Sequence, residues 1–241
     1  MNTPRTNEYG QPIGPALADW SARPAPPATP MAGRYCRLEP VDTARHAQSL
    51  YAAFSAAPDG RDWTYMSAGP FADSAKFDAH MARIADSVDP QHHAIIDTRS
   101  GDAVGTAALM RVDRSNGVIE VGHVSYSRRL QRTSAATEAI HLLMQRVFDD
   151  LGYRRFEWKC DDLNAPSRAA ALRLGFTFEG IFRQAIVYKG RSRDTAWFSM
   201  TDGEWLRVRS AYAQWLAPGN FDAAGQQRRR LGELIAEARA A

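Results

Sequence analysis

Residues 118–151 read VIEVGHVSYSRRLQRTSAATEAIHLLMQRVFDDL, and this stretch decides the fold. Its first part, 118–127, is rich in β-branched residues and predicts a strand, whereas 137–151 carries apolar residues at helical spacing. Residues 130–138 therefore form a strand-to-helix turn, which points unpaired backbone N–H groups and a helix dipole at one place. Such a turn is typical of a phosphate site. It contains no glycine, although glycine usually stands where a backbone approaches a phosphate closely.

The composition is that of a soluble globular protein, with 241 residues, 44% hydrophobic and 24% charged. This length allows one well-packed domain, alone or with tails. No apolar run approaches the roughly 20 residues that a membrane span requires, and we expect neither a secretory signal nor a membrane partner. Cys36 and Cys160 are isolated, which predicts two reduced thiols and a cytoplasmic location.

The net charge of +3 and the pI near 9.0 make the chain mildly basic. This balance suits a polyanionic small molecule and does not favour a nucleic-acid partner. One basic cluster, 228–230, lies near the C-terminus, where a solvated helix end is the simpler explanation.

We predict three regions along the chain. Residues 1–32 form an extended arm, because four prolines with interleaved alanines do not favour helix or sheet. Residues 33–216 form the folded domain, and 217–241 form a basic C-terminal tail.

Within the domain, helices and strands do not alternate regularly. Three β-like runs follow one another between the second and third helices, so we predict an α/β or α+β layer with a mixed sheet, and not a doubly wound parallel fold. The predicted strands are 34–41, 92–97, 103–112, 118–127, 154–160, 176–179, 184–189 and 195–200. The predicted helices are 43–54, 74–84, 137–151, 165–174 and 202–215.

Two segments resemble a known family. Residues 130–138 stand where the GNAT superfamily of acyl-CoA-dependent N-acyltransferases has its coenzyme A loop, usually written Gln/Arg-x-x-Gly-x-Gly/Ala. Asn164-x-x-Ser167, followed by Leu174-Gly175-Phe176, is similar to a segment of the RimJ/RimL-type branch. The resemblance covers roughly residues 33–203 and implies a mixed, mostly antiparallel central sheet with helices on both faces. Its other matching segments are Gly33-Arg34-x-x-Arg37-Leu38-Glu39-Pro40, Val104-Gly105 and Ile119-Glu120-Val121-Gly122-His123.

The resemblance implies acetyl-CoA as the acyl donor and no metal. Its pyrophosphate would meet the N–H groups of 132–136, and Arg128, Arg129 and Arg132 would meet phosphate charge unless they are merely solvated. Without glycine, we expect the turn to use right-handed helical backbone, with the threonine and serine hydroxyls as further donors. The implied coenzyme-binding residues are Val124, Tyr126, Gln131, Arg132, Thr133, Ser134, Ala135, Ala136, Asn164 and Ser167.

The same resemblance assigns roles near the thioester. A backbone N–H within 124–126 would stabilise the developing oxyanion. Asn164 would bond the pantetheine arm or an ordered water, although a helix N-cap explains it equally well. Many GNAT enzymes place a tyrosine acid at the position of Ala171, so Ser167 is the better candidate for the catalytic acid here.

A general base must deprotonate the acceptor ammonium. Glu120 is our first candidate and His123 the second, with a structural carboxylate as the alternative for Glu120. On a regular strand these two residues face opposite sides, so both can point at the amine only if a bulge at Gly122 re-aims one of them.

The resemblance also implies an acceptor pocket at the aromatic loop between the first two helices. Trp63, Tyr65 and Phe71 are its candidate substrate-binding residues, with core packing as the alternative. Asp161 is a further candidate, with solvation of a strand end as the alternative. We predict no metal at 92–93, because adjacent strand histidines point to opposite faces.

We therefore predict an N-acetyltransferase that moves an acetyl group from acetyl-CoA to a primary amine by direct attack in a ternary complex. The acceptor is a protein N-terminus or a small-molecule amine, and a larger acyl group stays open. The alternatives are a non-catalytic acyl-CoA-binding module and a nucleic-acid or ribosome-associated factor that uses the tail. The oligomeric state is open, with a homodimer as one alternative.

Overall fold

The computed structural model describes residues 5–240. Its strands are β1 (Arg5–Thr6), β2 (Pro12–Ile13), β3 (Met31–Ala32), β4 (Cys36–Pro40), β5 (Gln91–Asp97), β6 (Ala103–Asp113), β7 (Val118–Tyr126), β8 (Arg155–Asp161), β9 (Thr177–Tyr188) and β10 (Arg191–Thr201). Its α-helices are α1 (Thr43–Ser55), α2 (Ser74–Ala85), α3 (Ser134–Gln145), α4 (Ala165–Arg173), α5 (Asp202–Leu216) and α6 (Leu231–Ala240). A π-helical turn, Arg146–Asp150, continues α3.

Eight strands form one sheet in the order β3-β4-β5-β6-β7-β8-β10-β9. Neighbouring strands are antiparallel, except that β7 and β8 are parallel. Side chains of β5 alternate between two cores: Ile95 packs with α3 and α5, whereas Ala94 and Ile96 pack with α1 and α2. Helices thus cover both faces, and the predicted mixed, mostly antiparallel architecture is confirmed.

A buried carboxylate joins α3 to the start of the sheet. Glu138, 4% exposed, accepts hydrogen bonds from the backbone N–H groups of Arg34 (2.8 Å), Tyr35 (2.6 Å) and Cys36 (2.8 Å). The backbone of Gly33 lies so close to this carboxylate that a Cβ would collide with it. The glycine and the glutamate therefore fix α3 and the chain entering β4 as one unit.

The N-terminal segment is bound to the domain surface. The Trp20 indole N–H donates to the Ser115 carbonyl (2.8 Å), and the Tyr153 hydroxyl donates to the Pro24 carbonyl (3.0 Å). Strand β3 pairs with β4 at the sheet edge, which differs from the predicted arm without sheet, because Met31 is buried and the prolines stop before it.

Other elements differ from the prediction in extent. The predicted strands 176–179 and 184–189 are joined into one strand, β9, through Gly180, whose φ of 155° favours glycine. Most residues of β9 are exposed. Helix α3 begins at Ser134 and not at residue 137. Helix α6, inside the predicted tail, buries Leu231, Leu234 and Ile235 against α5.

Candidate active site

The centre of the sheet opens where its one parallel pair ends. Strands β7 and β8 are paired from Val118 opposite Arg155 to Val121 opposite Trp158, and the ladder stops there. Beyond this point 122–126 of β7 and 159–161 of β8 diverge. The chain leaving β7 enters the turn 127–133 and then α3, so the gap and the helix N-terminus are adjacent.

An extra residue in β7 changes which side chains face the gap. Ala108 of β6 lies opposite Gly122, but Thr106 lies opposite Ser125, so β7 carries a bulge here. Its residue His123 has a φ of 48° and packs its ring on His92, with 5.1 Å between the ring centroids.

The bulge places the two candidate bases on the same face. Ile119 and Val121 belong to the α3 core, so Glu120 between them points to the α1–α2 face. His92 and Met110 lie on that face too, paired with Ala108 and Glu120, and His123 joins them through the bulge. The bulge therefore meets the condition under which the side chains of both Glu120 and His123 could point at the acceptor amine. Burial lowers the pKa of His123, with Arg83 and Arg111 acting in the same direction, which favours a neutral imidazole.

Glu120 lies in a charged ladder across the sheet. It is 5% exposed, with Lys159 Nζ at 3.0 Å and Arg111 Nε at 3.6 Å from its Oε2. Lys159 also contacts Glu157 (2.7 Å) and lies over the Trp197 ring, 3.7 Å from its centroid. Burial raises the pKa of Glu120, while Lys159 and Arg111 oppose that shift. The result is a buried carboxylate with cationic neighbours at the point where the strands diverge.

The turn before α3 has a precise hydrogen-bond pattern. Thr133 is the N-cap: its hydroxyl accepts from the Ala136 N–H (3.2 Å) and donates to the Leu130 carbonyl (2.7 Å). The hydroxyl expected as a phosphate donor is therefore occupied, and so is the Ala136 N–H. The N–H groups of Ser134 and Ala135, in the first turn of the helix, have no acceptor within it.

One backbone expectation for this turn is wrong. We predicted right-handed helical backbone throughout, but Arg132 has a φ of 62°. This left-handed conformation is the one that glycine adopts without strain, and it costs another residue about 1–2 kcal/mol. The turn thus keeps a glycine-type backbone at a position occupied by arginine. The Arg132 side chain is exposed at the helix entrance.

The other two arginines of this region are paired with carboxylates. Arg128 contacts Asp62 at 3.0 Å, and Arg129 contacts Asp102 at 2.7 Å. Both pairs are partly exposed, so they are weak and a phosphate could compete for the guanidinium groups.

Tyr126 and Gln131 hold the turn in shape. The Tyr126 hydroxyl donates to the Ala136 carbonyl (3.0 Å), and the Gln131 side-chain amide donates to the Tyr126 carbonyl (2.9 Å). Burial raises the pKa of Tyr126, so the phenol stays protonated. Val124 is half-buried against the main core. These side chains are placed to position the backbone at the gap.

The start of α4 faces the same gap from β8. Asn164 caps the helix by accepting from the Ser167 N–H (3.1 Å), so the capping alternative is observed. The Ser167 hydroxyl accepts from the Trp158 indole N–H (3.0 Å) and lies beside the Cys160 thiol. Ala171 is fully buried, so the family's tyrosine position lies in the core.

The aromatic loop 56–73 lies over the α1–α2 face, and its large side chains pack within it. Trp63 is 8% exposed and makes edge contacts with Phe54 (5.2 Å between centroids) and Phe71 (5.1 Å). These contacts are those of the core-packing alternative, and substrate binding by Trp63 and Phe71 stays a prediction. Tyr65 is half-buried, and its hydroxyl donates to the Leu163 carbonyl at 3.1 Å.

Asp161 ends β8 in a set of hydrogen bonds. It is 5% exposed and accepts from the Leu163 N–H (2.9 Å) and the Tyr188 hydroxyl (2.7 Å). Its carboxylate thus ties the end of β8 to β9, and a contact with the acceptor stays a prediction.

Sequence analysis missed Lys159 and Trp197 as components of this face. The alternation of Glu157, Lys159 and Asp161 along β8 was a signal that one face of the strand is charged. It did not reveal that Lys159 bridges to Glu120 on the neighbouring strand.

Within residues 5–240, no group of three or more histidine, cysteine, aspartate or glutamate side chains is arranged to hold a metal ion. His92 and His93 point to opposite faces, since His93 lies opposite Ala107 of the main core. The same residues include no helix long and apolar enough to cross a membrane.

Residues 36–177 match the family model of the acetyltransferase (GNAT) domain. The chain belongs to the GNAT acetyltransferase family. Its sequence is 49% identical to that of a GCN5-related N-acetyltransferase from Brucella melitensis, whose crystal structure is known. The two structures match with a TM-score of 0.89 over 91% of this chain and 100% of that one.

Two further proteins are similar to this GNAT protein over a smaller share of its chain. The uncharacterized N-acetyltransferase p20 of Bacillus licheniformis is 30% identical over 144 residues, which is 58% of this chain and 80% of p20. The microcin C7 self immunity acetyltransferase MccE, solved with acetyl-CoA and AMP, has a TM-score of 0.58 at 20% identity and covers 70% of this chain and 93% of its own. The last comparison shows a shared fold.

Proposed function

We propose that this GNAT protein transfers an acetyl group from acetyl-CoA to a primary amine by direct attack within a ternary complex. The observation that carries the proposal is the gap between β7 and β8, which opens directly in front of α3. We place the thioester arm between these two strands, where their ladder has ended, with the free N–H groups of Ser134 and Ala135 directed at the pyrophosphate. The complex of MccE with acetyl-CoA supports this donor.

In the proposed reaction, the amine nitrogen attacks the thioester carbonyl carbon. A backbone N–H within 124–126 stabilises the oxyanion; the C–N bond then forms fully and the C–S bond breaks. The Ser167 hydroxyl protonates the leaving thiolate and regains a proton through solvent from the nitrogen, which loses its second proton as the intermediate collapses to the amide. The Asn164 side-chain N–H₂ group, which capping leaves free, holds the pantetheine arm.

Glu120 is the proposed base that removes the ammonium proton before attack. Its burial favours the protonated product of that step, while Lys159 and Arg111 keep the starting carboxylate ionised. His123 is the second candidate, because the bulge brings its imidazole to the same face.

Direct attack is favoured over an acyl-cysteine intermediate. Cys36 is 0% exposed and Cys160 is 6% exposed, and burial raises the pKa of both thiols. A protonated buried thiol is a poor nucleophile. The two free cysteines also suit the cytoplasmic location that we propose. A homodimer stays a proposal without a specific interface.

The experiment is a screen of small amines and free-N-terminal peptides with acetyl-CoA, in which released thiol is measured. We expect thiol release with at least one amine, together with its acetylated product. If no member of the panel gives a product, while calorimetry detects acetyl-CoA binding, acetyl transfer is refuted.

The second candidate function is a non-catalytic acyl-CoA-binding module. The strained, glycine-free turn at Arg132 and the ion pairing of Glu120 with Lys159 favour it. Binding of acetyl-CoA without thiol release across the whole panel is its expected signature.

A further inference from the structure

The loop between α1 and α2, residues 56–73, forms a roof over the gap, and side-chain contacts attach it to the structure on several sides. Asp62 contacts Arg128, two residues beyond the end of β7, at 3.0 Å. The Tyr65 hydroxyl donates to the carbonyl of Leu163, two residues beyond the end of β8, at 3.1 Å. The roof therefore spans the ends of the two strands whose divergence creates the gap.

A third attachment comes from the turn between β9 and β10. Lys189 and Gly190 have φ values of 48° and 70°, and Tyr188 pairs with Arg191, so the turn is a tight two-residue hairpin. Lys189 Nζ donates to the carbonyls of Trp63 (2.9 Å), Ala68 (3.3 Å) and Gly69 (2.7 Å).

Arg191 reinforces this attachment by donating to the Thr64 carbonyl at 2.6 Å. Burial, followed by the nearby Arg191, lowers the pKa of Lys189. The single ammonium group of Lys189 thus donates hydrogen bonds to three backbone carbonyls of the roof. We call this set of contacts the Lys189 latch.

The roof is packed as well as attached. The Trp63 ring lies against the backbone of Gly69, where a Cβ would be 2.5 Å from ring atoms, and its edge contact with Phe54 connects it to α1. Phe71, which Trp63 also contacts, packs on Phe77 of α2 with 5.2 Å between the ring centroids. A loop with its own aromatic core keeps its shape when a substrate approaches. The opening to Glu120 is therefore framed by β7, β8, the hairpin and a closed roof.

We infer that the acceptor is a small primary amine and not the N-terminus of a protein, and that the Lys189 latch is the specificity-determining contact that excludes polypeptide. This inference rests on the proposed acetyl transfer. An extended peptide needs a groove that is open at one end, so that the chain beyond its first residues can leave the site. Here the hairpin and the roof, which would form the two sides of such a groove, are joined.

The test compares small amines with peptides, using the whole chain and acetyl-CoA. The small-amine set contains amino acid amides, diamines and amino sugars, and the peptide set contains hexapeptides with free N-termini and varied first residues. We expect kcat/KM for the best small amine to exceed that for the best peptide by about 100-fold or more.

The variant Lys189→Met removes the three N–H donors and leaves an unbranched apolar side chain that is shorter by the nitrogen alone. We expect it to raise kcat/KM for peptides by about tenfold, with little change for the best small amine. The control is Lys76→Met, because Lys76 is exposed on α2 and its side chain lies outside the roof contacts. Arg191→Met, which removes the donor to the Thr64 carbonyl, is a second variant in case Lys189→Met does not fold.

Trypsin cleavage after the exposed Arg61 gives an independent readout of the roof. We expect faster cleavage there in Lys189→Met than in wild type and in Lys76→Met. Unchanged cleavage in the Lys189 variant would show that the latch does not hold the roof, and would overturn its assigned role.

The outcomes separate the inference from the proposed function. If wild type acetylates peptides as fast as small amines, the closed acceptor site is wrong and acetyl transfer stands. If wild type acetylates neither class, the proposed function fails and the inference falls with it. An unchanged ratio of peptide to small-amine activity in Lys189→Met, despite faster cleavage, would refute the latch as a specificity determinant.

Discussion

Replacing Glu138 by glutamine tests how the turn at α3 is held to the sheet. The carboxylate accepts from three backbone N–H groups at 2.6–2.8 Å while only 4% exposed. In Glu138→Gln the amide oxygen can take the place of Oε2 and still accept hydrogen bonds from the backbone N–H groups of Tyr35 and Cys36. The new N–H₂ group then faces the Arg34 N–H, so two donors meet where one hydrogen bond stood.

The expected loss follows from the strengths of these bonds. A hydrogen bond to a charged group contributes about 1.5–3 kcal/mol, and a neutral one about 1 kcal/mol. One bond is lost and two become neutral, which amounts to about 4 kcal/mol. Because burying an amide costs less than burying a carboxylate, we expect the measured free energy of unfolding to fall by about 3 kcal/mol. For a chain of this length that lowers the Tm by roughly 6–12 °C.

The measurement is urea denaturation followed by circular dichroism near neutral pH. Glu237→Gln is the matched control, because Glu237 pairs with Arg229 at the surface with 64% of its side chain exposed. We expect that control to lose less than about 0.5 kcal/mol. A loss in Glu138→Gln no larger than the control would refute the reasoning that this carboxylate holds α3 to β4.

Four further predictions follow from the site and the core. Glu120→Gln should lower kcat about 100-fold or more and leave acetyl-CoA affinity within about twofold, and an unchanged pH–rate profile would contradict the base role. Ser134→Asp should abolish acetyl-CoA binding in calorimetry by placing negative charge at the helix N-terminus, whereas Ser210→Asp, on the exposed face of α5, should bind normally. Arg132→Gly should relieve about 1 kcal/mol of backbone strain but weaken acetyl-CoA binding, and tighter binding would show that the guanidinium does not meet phosphate. Burial, reinforced by Arg146, lowers the pKa of His93 from 6.5 to about 4, so its contribution to stability is complete above pH 6.5 and is lost as the pH falls towards 4. When the pH falls from about 6 to 5, the free energy of unfolding in urea should fall by about 1 kcal/mol more for wild type than for His93→Gln. An equal fall in the two proteins would contradict this.

Much of the fold could be predicted because its elements carry strong local signals. The short apolar runs in 92–97 and 103–112, separated by turn residues, and the 3.6-residue period of 137–151 gave the central strands and α3 to within a few residues. The signal failed where local composition misleads. Gly180 suggested a break in β9, and arginine-rich surroundings concealed the apolar stripe of α6.

The site was predictable only in part, because its chemistry depends on contacts distant in sequence. The order of the segments indicated the turn before α3 and Glu120 as candidate site elements, and these roles stay predictions. The pairing of Glu120 with Lys159 depends on which strands are neighbours, and the contact of Lys189 with Trp63 joins residues 126 positions apart. The left-handed backbone at Arg132 was hidden because the residue type disfavours it.

The divergence of β7 and β8 also means that the sheet is left unfinished at its centre. On their facing sides, the backbones of 122–126 and 159–161 have no strand pairing with each other, because the ladder between β7 and β8 ends at Val121 and Trp158. An arm of coenzyme A with its own amide groups would then act as an inserted strand that completes the ladder. We expect hydrogen exchange in 122–126 to be fast in the free protein and to slow when acetyl-CoA binds, whereas 118–121 should be protected in both states. On this view the substrate is a structural part of the sheet as well as the group that reacts.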